Sequence, residues 1–204
     1  MSGCCDNDCS ADALRVRQRG TLQVVLGINA VMFLVIVWAA LYGDSTALLA
    51  DSLDNLGDAL TYGLSLYAVS RGAVAKAKVA LFKGGLIVLA ALAVVAQVAY
   101  KLVVPSTPLF EVMGAFSLLG LAANSVCLFL LWRHRHEDVN MSSVWECSRN
   151  DIASNLSVFL AAGAVWLTAS GWPDILVAVG LVWLLMRSAI RVIKSALVEL
   201  RAAT

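Results

Sequence analysis

The chain has 204 residues, of which 60% are hydrophobic and only 14% are charged, and its mean hydropathy is +0.82. A water-soluble domain could not cover its surface with so few polar residues, so the composition excludes that class and predicts an integral membrane protein. The net charge of +1 gives no electrostatic basis for binding nucleic acid.

Six apolar stretches are long enough to cross a bilayer, whose apolar core of about 30 Å requires roughly 20 residues per spanning helix. In chain order they cover about 21–43, 46–70, 79–102, 109–132, 143–170 and 173–195. Short segments rich in Gly, Pro or charge separate them, as is typical of helix ends. The sequence predicts an all-α bundle of six transmembrane helices within residues 21–197, with tails at 1–20 and 198–204.

Basic residues concentrate on one side of the predicted membrane. They precede helix 1, follow helices 2 and 4, and end helix 6: Arg15, Arg17, Arg19, Arg71, Lys76, Lys78, Lys83, Arg133, Arg135, Arg187, Arg191, Lys194 and Arg201. On the opposite side of the predicted membrane, Lys101 is the candidate basic residue. The positive-inside rule therefore predicts that both termini are cytoplasmic, in a multi-pass protein of a bacterial inner membrane.

Three of the five cysteines crowd the N-terminal tail, at Cys4, Cys5 and Cys9. A cytosolic tail is in a reducing compartment, so thiols are expected there instead of disulfides. Two interpretations remain open. The tail is disordered with incidental cysteines, or it captures a soft metal, since thiolates favour zinc, cadmium, mercury or copper(I).

Helix 2 has a polar face inside its apolar run. Asp51, Asp54, Asn55 and Asp58 follow the spacing i, i+3, i+4, i+7, which places them on one side of a helix. Each charged residue costs about 2.5–3.5 kcal/mol inside a membrane, so such residues usually mark a pathway. Carboxylates one turn apart repel each other unless a cation or protons neutralise them. Asp54 and Asp58 are therefore predicted to bind a divalent cation or exchange protons.

Helix 5 carries a second set of polar groups, because Cys147, Asp151 and Asn155 are spaced i, i+4, i+8 on one face. If helix 5 packs on helix 2, three carboxylates and one further ligand close a four-coordinate site, which suits zinc and similar ions. That set is Asp54, Asp58, Asp151 and one of Cys147 or Asn150.

Other polar residues have structural explanations. Asp44, beside a glycine at a helix end, is expected to cap a helix or form a buried hydrogen bond. Asn29 and Asn124 are expected to make hydrogen bonds between helices. His134 and His136 belong either to a solvated charged loop or to a weak metal site.

Residues 49–58, LADSLDNLGD, resemble the second-helix signature of cation diffusion facilitators, in which His or Asp is followed four residues later by Asp. Helix 5 is similar, with Cys147 and Asp151 where the family has His or Asp and then Asp. The likeness covers about residues 20–200. The ligands that it implies are Asp54, Asp58, Cys147 and Asp151, and the accessory candidates are Asp51, Asn150, Asn155, Cys4, Cys5 and Cys9.

The resemblance implies a secondary transporter that exports a divalent metal ion, such as zinc, cadmium or cobalt, from the cytoplasm in exchange for protons. It implies no enzymatic activity and no cofactor apart from the transported ion. The family's usual C-terminal cytoplasmic domain, which supports dimers, does not follow helix 6 here, so a homodimer stays open. The alternative is a membrane adaptor whose N-terminal cysteines hand metal to a partner transporter.

Overall fold

The computed structural model describes the backbone of residues 4–68, 73–132 and 139–202, and the side chains of residues 19–64, 66, 74, 77–132 and 151–201. The described backbone forms six helices and no strand. They are α1 (Cys4–Tyr42), α2 (Thr46–Ala68), α3 (Ala73–Val103), α4 (Phe110–Trp132), α5 (Val139–Thr168) and α6 (Trp172–Ala202).

Five of these helices are long and apolar enough to cross a membrane, and α2 differs from them in its three aspartates. With 23 residues α2 spans roughly 34 Å, so its length suffices. What distinguishes α2 is its lower hydropathy, which results from its carboxylates. These carboxylates must be buried against the other helices, because charge in contact with lipid is costly. The predicted all-α membrane bundle is confirmed.

Polar and apolar side chains are distributed as expected for a protein in lipid. Large apolar residues such as Leu34, Phe129 and Leu167 point outward, and Phe129 is 80% exposed. Asparagines and aspartates lie inside, including Asn29 and Asn124, which are about 1% exposed. The outer surface therefore suits contact with lipid acyl chains. The buried polar groups can interact only with one another or with a ligand.

Helix α2 lies at the centre of the bundle, because it contacts α1, α3, α5 and α6. Its apolar residues Leu48 and Leu53 belong to a core that also includes Met113 of α4, Val158 of α5 and Leu181 of α6. The acidic face of α2 is consequently enclosed by neighbouring helices.

Several helices extend beyond the predicted apolar spans. Helix α1 begins at Cys4, α3 begins at Ala73, and α6 continues to Ala202. Apolar runs mark the part of a helix that crosses the bilayer, whereas Lys, Arg and Glu are good helix formers that continue it into water. As a result Lys78, predicted to lie between helices 2 and 3, belongs to α3, whereas Lys83 already falls inside the predicted third span.

The N-terminus of α2 is capped by two side chains. The Ser45 hydroxyl accepts a hydrogen bond from the Leu48 amide at 3.1 Å and donates one to Asp174 of α6 at 2.7 Å. The amides of Thr46 and Ala47 also donate to the Asp174 carboxylate, each at 2.9 Å. The cap is therefore Ser45 with Asp174. Of the two roles predicted for Asp44, a cap and a buried hydrogen bond, the cap is excluded.

Lys101 of α3 completes this arrangement. Its ammonium lies 3.6 Å from Asp174 Oδ2 and 3.3 Å from Asp44 Oδ1, and its side chain is only 3% exposed. It also donates a hydrogen bond to the Asp44 backbone carbonyl. We call Asp44, Ser45, Lys101 and Asp174 the clasp, because they join α2, α3 and α6 at one end of the bundle. The sequence placed Lys101 on this side but did not predict its burial.

Candidate cation site

Helices α2 and α5 bring acidic side chains together in the bundle interior. Asp51 is completely buried, and Asp58 and Asp151 are more than nine-tenths buried. Asp54 is half-buried. The electrostatic environment of Asp151 includes all three aspartates of α2, so the packing of helix 5 on helix 2 that the site requires is present.

Asp58 is at the centre of a hydrogen-bonded group. The Tyr62 hydroxyl donates to Asp58 Oδ2, and the Asp151 carboxyl of α5 is hydrogen-bonded to Asp58. Asp58 therefore interacts with Asp151 where α2 packs on α5, and we call these two residues the Asp58–Asp151 pair.

Asp54 makes the second contact between the two helices. Its carboxylate accepts a hydrogen bond from Ser154, which lies one turn after Asp151 on α5. The Asp54 carboxylate also faces the negative charges of Asp51 and Asp58. Two like-charged helix faces are thus held together by specific hydrogen bonds.

Several buried oxygen atoms near this group have no hydrogen-bond donor within the described part of the chain. They are both carboxylate oxygens of Asp51, Oδ1 of Asn55 and Oδ2 of Asp151. The Asn55 amide nitrogen lies 3.4 Å from the Asp51 carbonyl, to which it donates, so its oxygen is directed elsewhere. Buried oxygens without donors need a cation, a proton or water. Carboxylate and amide oxygens also suit hard and borderline metal ions.

Asn155 lies against α4. Its amide nitrogen donates to the Asp151 carbonyl at 2.8 Å, and its Oδ1 lies directly over Gly120. A Cβ at Gly120 would overlap that oxygen, so this glycine allows α4 and α5 to approach at the level of the acidic group.

We expect Gly120→Ala to lower the free energy of unfolding by about 1–3 kcal/mol and to reduce transport, because the Asn155 side chain must move. Thermal unfolding in detergent and flux in proteoliposomes check this. Gly163→Ala on α5 is the matched control, since a Cβ there meets nothing within 4 Å and only the gain in helix propensity remains. Equal effects of the two substitutions would contradict a specific contact between Gly120 and Asn155.

No three Asp, Glu, Cys or His residues among those described converge closely enough to hold a metal ion in this arrangement. Several candidates have side chains outside the described set: Cys4, Cys5, Cys9, Cys147 and Asn150. His134 and His136 lie outside the described residues altogether. The structure thus brings Asp51, Asp54, Asp58 and Asp151 into one group, and the full ligand set stays a prediction.

Three residues at this group were not predicted. Tyr62 follows Asp58 by four residues and Ser154 follows Asp151 by three, so helical spacing was the available signal for both. Lys83 acts electrostatically on Asp58 from α3. The sequence grouped Lys83 with the cytoplasmic basic residues after helix 2 and therefore did not predict this role.

Cys127 of α4 is a further buried thiol near the group, within electrostatic reach of Asp58 and Asp151. The Asn29 amide lies 3.9 Å from its sulfur and donates to it, which links α1 to α4. The prediction that Asn29 bonds between helices is confirmed. Asn124 is buried in α4, and its Nδ2 finds no acceptor among the described residues.

A multi-pass helical bundle with carboxylates gathered between two central helices is the architecture of a membrane transporter for cations. Residues 22–201 match the family described as the cation efflux transmembrane domain. The chain therefore belongs to the cation efflux family, a family of transporters and not of enzymes, which confirms the resemblance at residues 49–58. No curated protein matches the chain.

Proposed function

We propose that this cation efflux protein exports a divalent transition-metal or heavy-metal ion, such as zinc or cadmium, from the cytoplasm in exchange for protons. The observation that carries the proposal is the group of buried Asp51, Asn55 and Asp151 oxygens without donors, beside the Asp58–Asp151 pair. A divalent cation would take the free Asp151 oxygen as a ligand and would offset the charge of the neighbouring carboxylates, including Asp51.

The ligands of the transported ion in this proposal are Asp54 and Asp58 of α2 and Asp151 and Cys147 of α5. Three carboxylates and one thiolate make a four-coordinate set of the kind that zinc takes. A soft ion such as cadmium gains further from the Cys147 thiolate.

The exchange of protons follows from the same pair. In this proposal, an ion that binds Asp58 and Asp151 displaces the protons that neutralise the empty site, and protons return after the ion leaves. The bilayer interior disfavours uncompensated charge. The carboxylates therefore bind the ion and protons in turn, as the site opens first to one membrane face and then to the other. The excess of basic residues beside both termini supports a cytoplasmic location for them.

The test is metal-driven proton flux in proteoliposomes, comparing zinc, cadmium and cobalt with an internal pH dye. We expect each transported metal to drive protons in the opposite direction. Metal uptake without a pH change would contradict antiport. Absence of uptake for every metal, with a correctly inserted protein, would contradict transport and favour the adaptor, for which replacement of Cys4, Cys5 and Cys9 by serine should abolish metal capture.

A further inference from the structure

Lys83 of α3 projects toward the acidic face of α2. The two helices pack antiparallel, with Ile87 as the neighbour of Gly57, where an added Cβ would lie 3.7 Å from the Ile87 side chain. One turn along the interface, the Lys83 ammonium donates a hydrogen bond to Thr61. Gly57 and Thr61 on α2 thus face Ile87 and Lys83 on α3.

This contact places the ammonium at Thr61, one helical turn from Asp58 on α2. Thr61 comes three residues after Asp58, and its hydroxyl donates to the Gly57 carbonyl at 2.7 Å, which leaves the oxygen lone pairs for Lys83. The Lys83 side chain is half-buried, and its positive charge acts on the Asp58 carboxyl. A lysine whose purpose was to reach solvent would extend away from this face.

We propose that Lys83 is a resident counter-charge of the cation site, which competes with the transported metal for Asp58 and lowers the affinity of the site. This inference rests on the proposed function. Carboxylate ligands bind a divalent ion strongly in a low dielectric, and a carrier must also release its ion. A fixed ammonium beside one ligand weakens binding by repelling the ion and by attracting the carboxylate.

The experiment measures zinc and cadmium affinity of the purified full chain in detergent, by competition with a fluorescent chelator at one fixed pH. Lys83→Met and Lys83→Gln are expected to bind both metals at least about tenfold more tightly than the unmodified chain. Lys83→Arg keeps the charge and is expected to restore the original affinity. Thr61→Val removes the acceptor that holds the ammonium, and a smaller increase in affinity is expected.

Lys78→Met is the matched control, because Lys78 lies on the same helix but its side chain is exposed. It should leave affinity unchanged. Unchanged or weaker binding by both neutral Lys83 variants would overturn the inference, since a purely structural lysine can only weaken the site when it is lost. If the unmodified chain binds neither metal, the proposed function fails instead, so the two failures are distinguishable.

Discussion

Replacing Asp58 with asparagine is expected to reduce metal-driven proton flux at least about 100-fold while the protein still inserts and folds. Asp58 joins the two halves of the site, because it is hydrogen-bonded to Tyr62 on its own helix and to Asp151 on α5. Asparagine has nearly the same shape, but it cannot supply a carboxylate to the ion or exchange a proton. Initial flux in proteoliposomes measures the effect.

Asp54→Asn and Asp151→Asn are expected to cause similar losses, because each removes one ligand from the same shell. Glu111→Gln is the control, since Glu111 is an exposed carboxylate in the first turn of α4 and should leave flux unchanged. Flux that survives in Asp58→Asn would remove Asp58 from the transport site. Failure of that variant to insert would assign the residue a structural role.

The second large effect is expected at the clasp, where Asp174→Ala should lower the free energy of unfolding by about 3–5 kcal/mol. The Asp174 carboxylate is fully buried, accepts three hydrogen bonds from the start of α2, and pairs with Lys101. Its removal leaves the buried Lys101 ammonium with only one carboxylate partner in the clasp. It also removes the N-terminal cap of α2, the helix that carries the acidic face. Thermal unfolding in detergent measures the loss.

Asp44→Asn is the control for the clasp, because Asp44 has a φ of 49°, a left-handed conformation that asparagine tolerates better than alanine. Asp44 also pairs with Lys101, at 3.3 Å, but its side chain is 51% exposed. Water already screens this pair, so a loss of less than about 1 kcal/mol is expected. Adding Lys101→Met to Asp174→Ala should recover part of the stability, because the double substitution removes the poorly compensated charge. Equal losses at Asp44 and Asp174 would contradict the view that burial makes this contact strong.

The number of helices and the acidic face of α2 could be predicted from the sequence because both are local properties. A membrane requires long apolar runs, so these runs and the Gly, Pro and charged breaks between them located the helices. The spacing of Asp51, Asp54 and Asp58 defines one helical face irrespective of what packs on it. The same argument found Asp151 on α5. Helix ends were less accurate, since charged helix formers continue α3 and α6 past the apolar segment.

Only the tertiary structure decided which side chains meet across helices. Lys83 and Lys101 are both lysines of α3, yet one contacts Thr61 near the acidic group and the other is buried in the clasp with Asp174. Hydropathy does not distinguish these two roles. By itself the sequence determined the class of protein and one wall of its site, because helical periodicity and bilayer thickness act within a single segment. The partners of those residues depend on how α2 packs against α3, α5 and α6, which no single segment encodes.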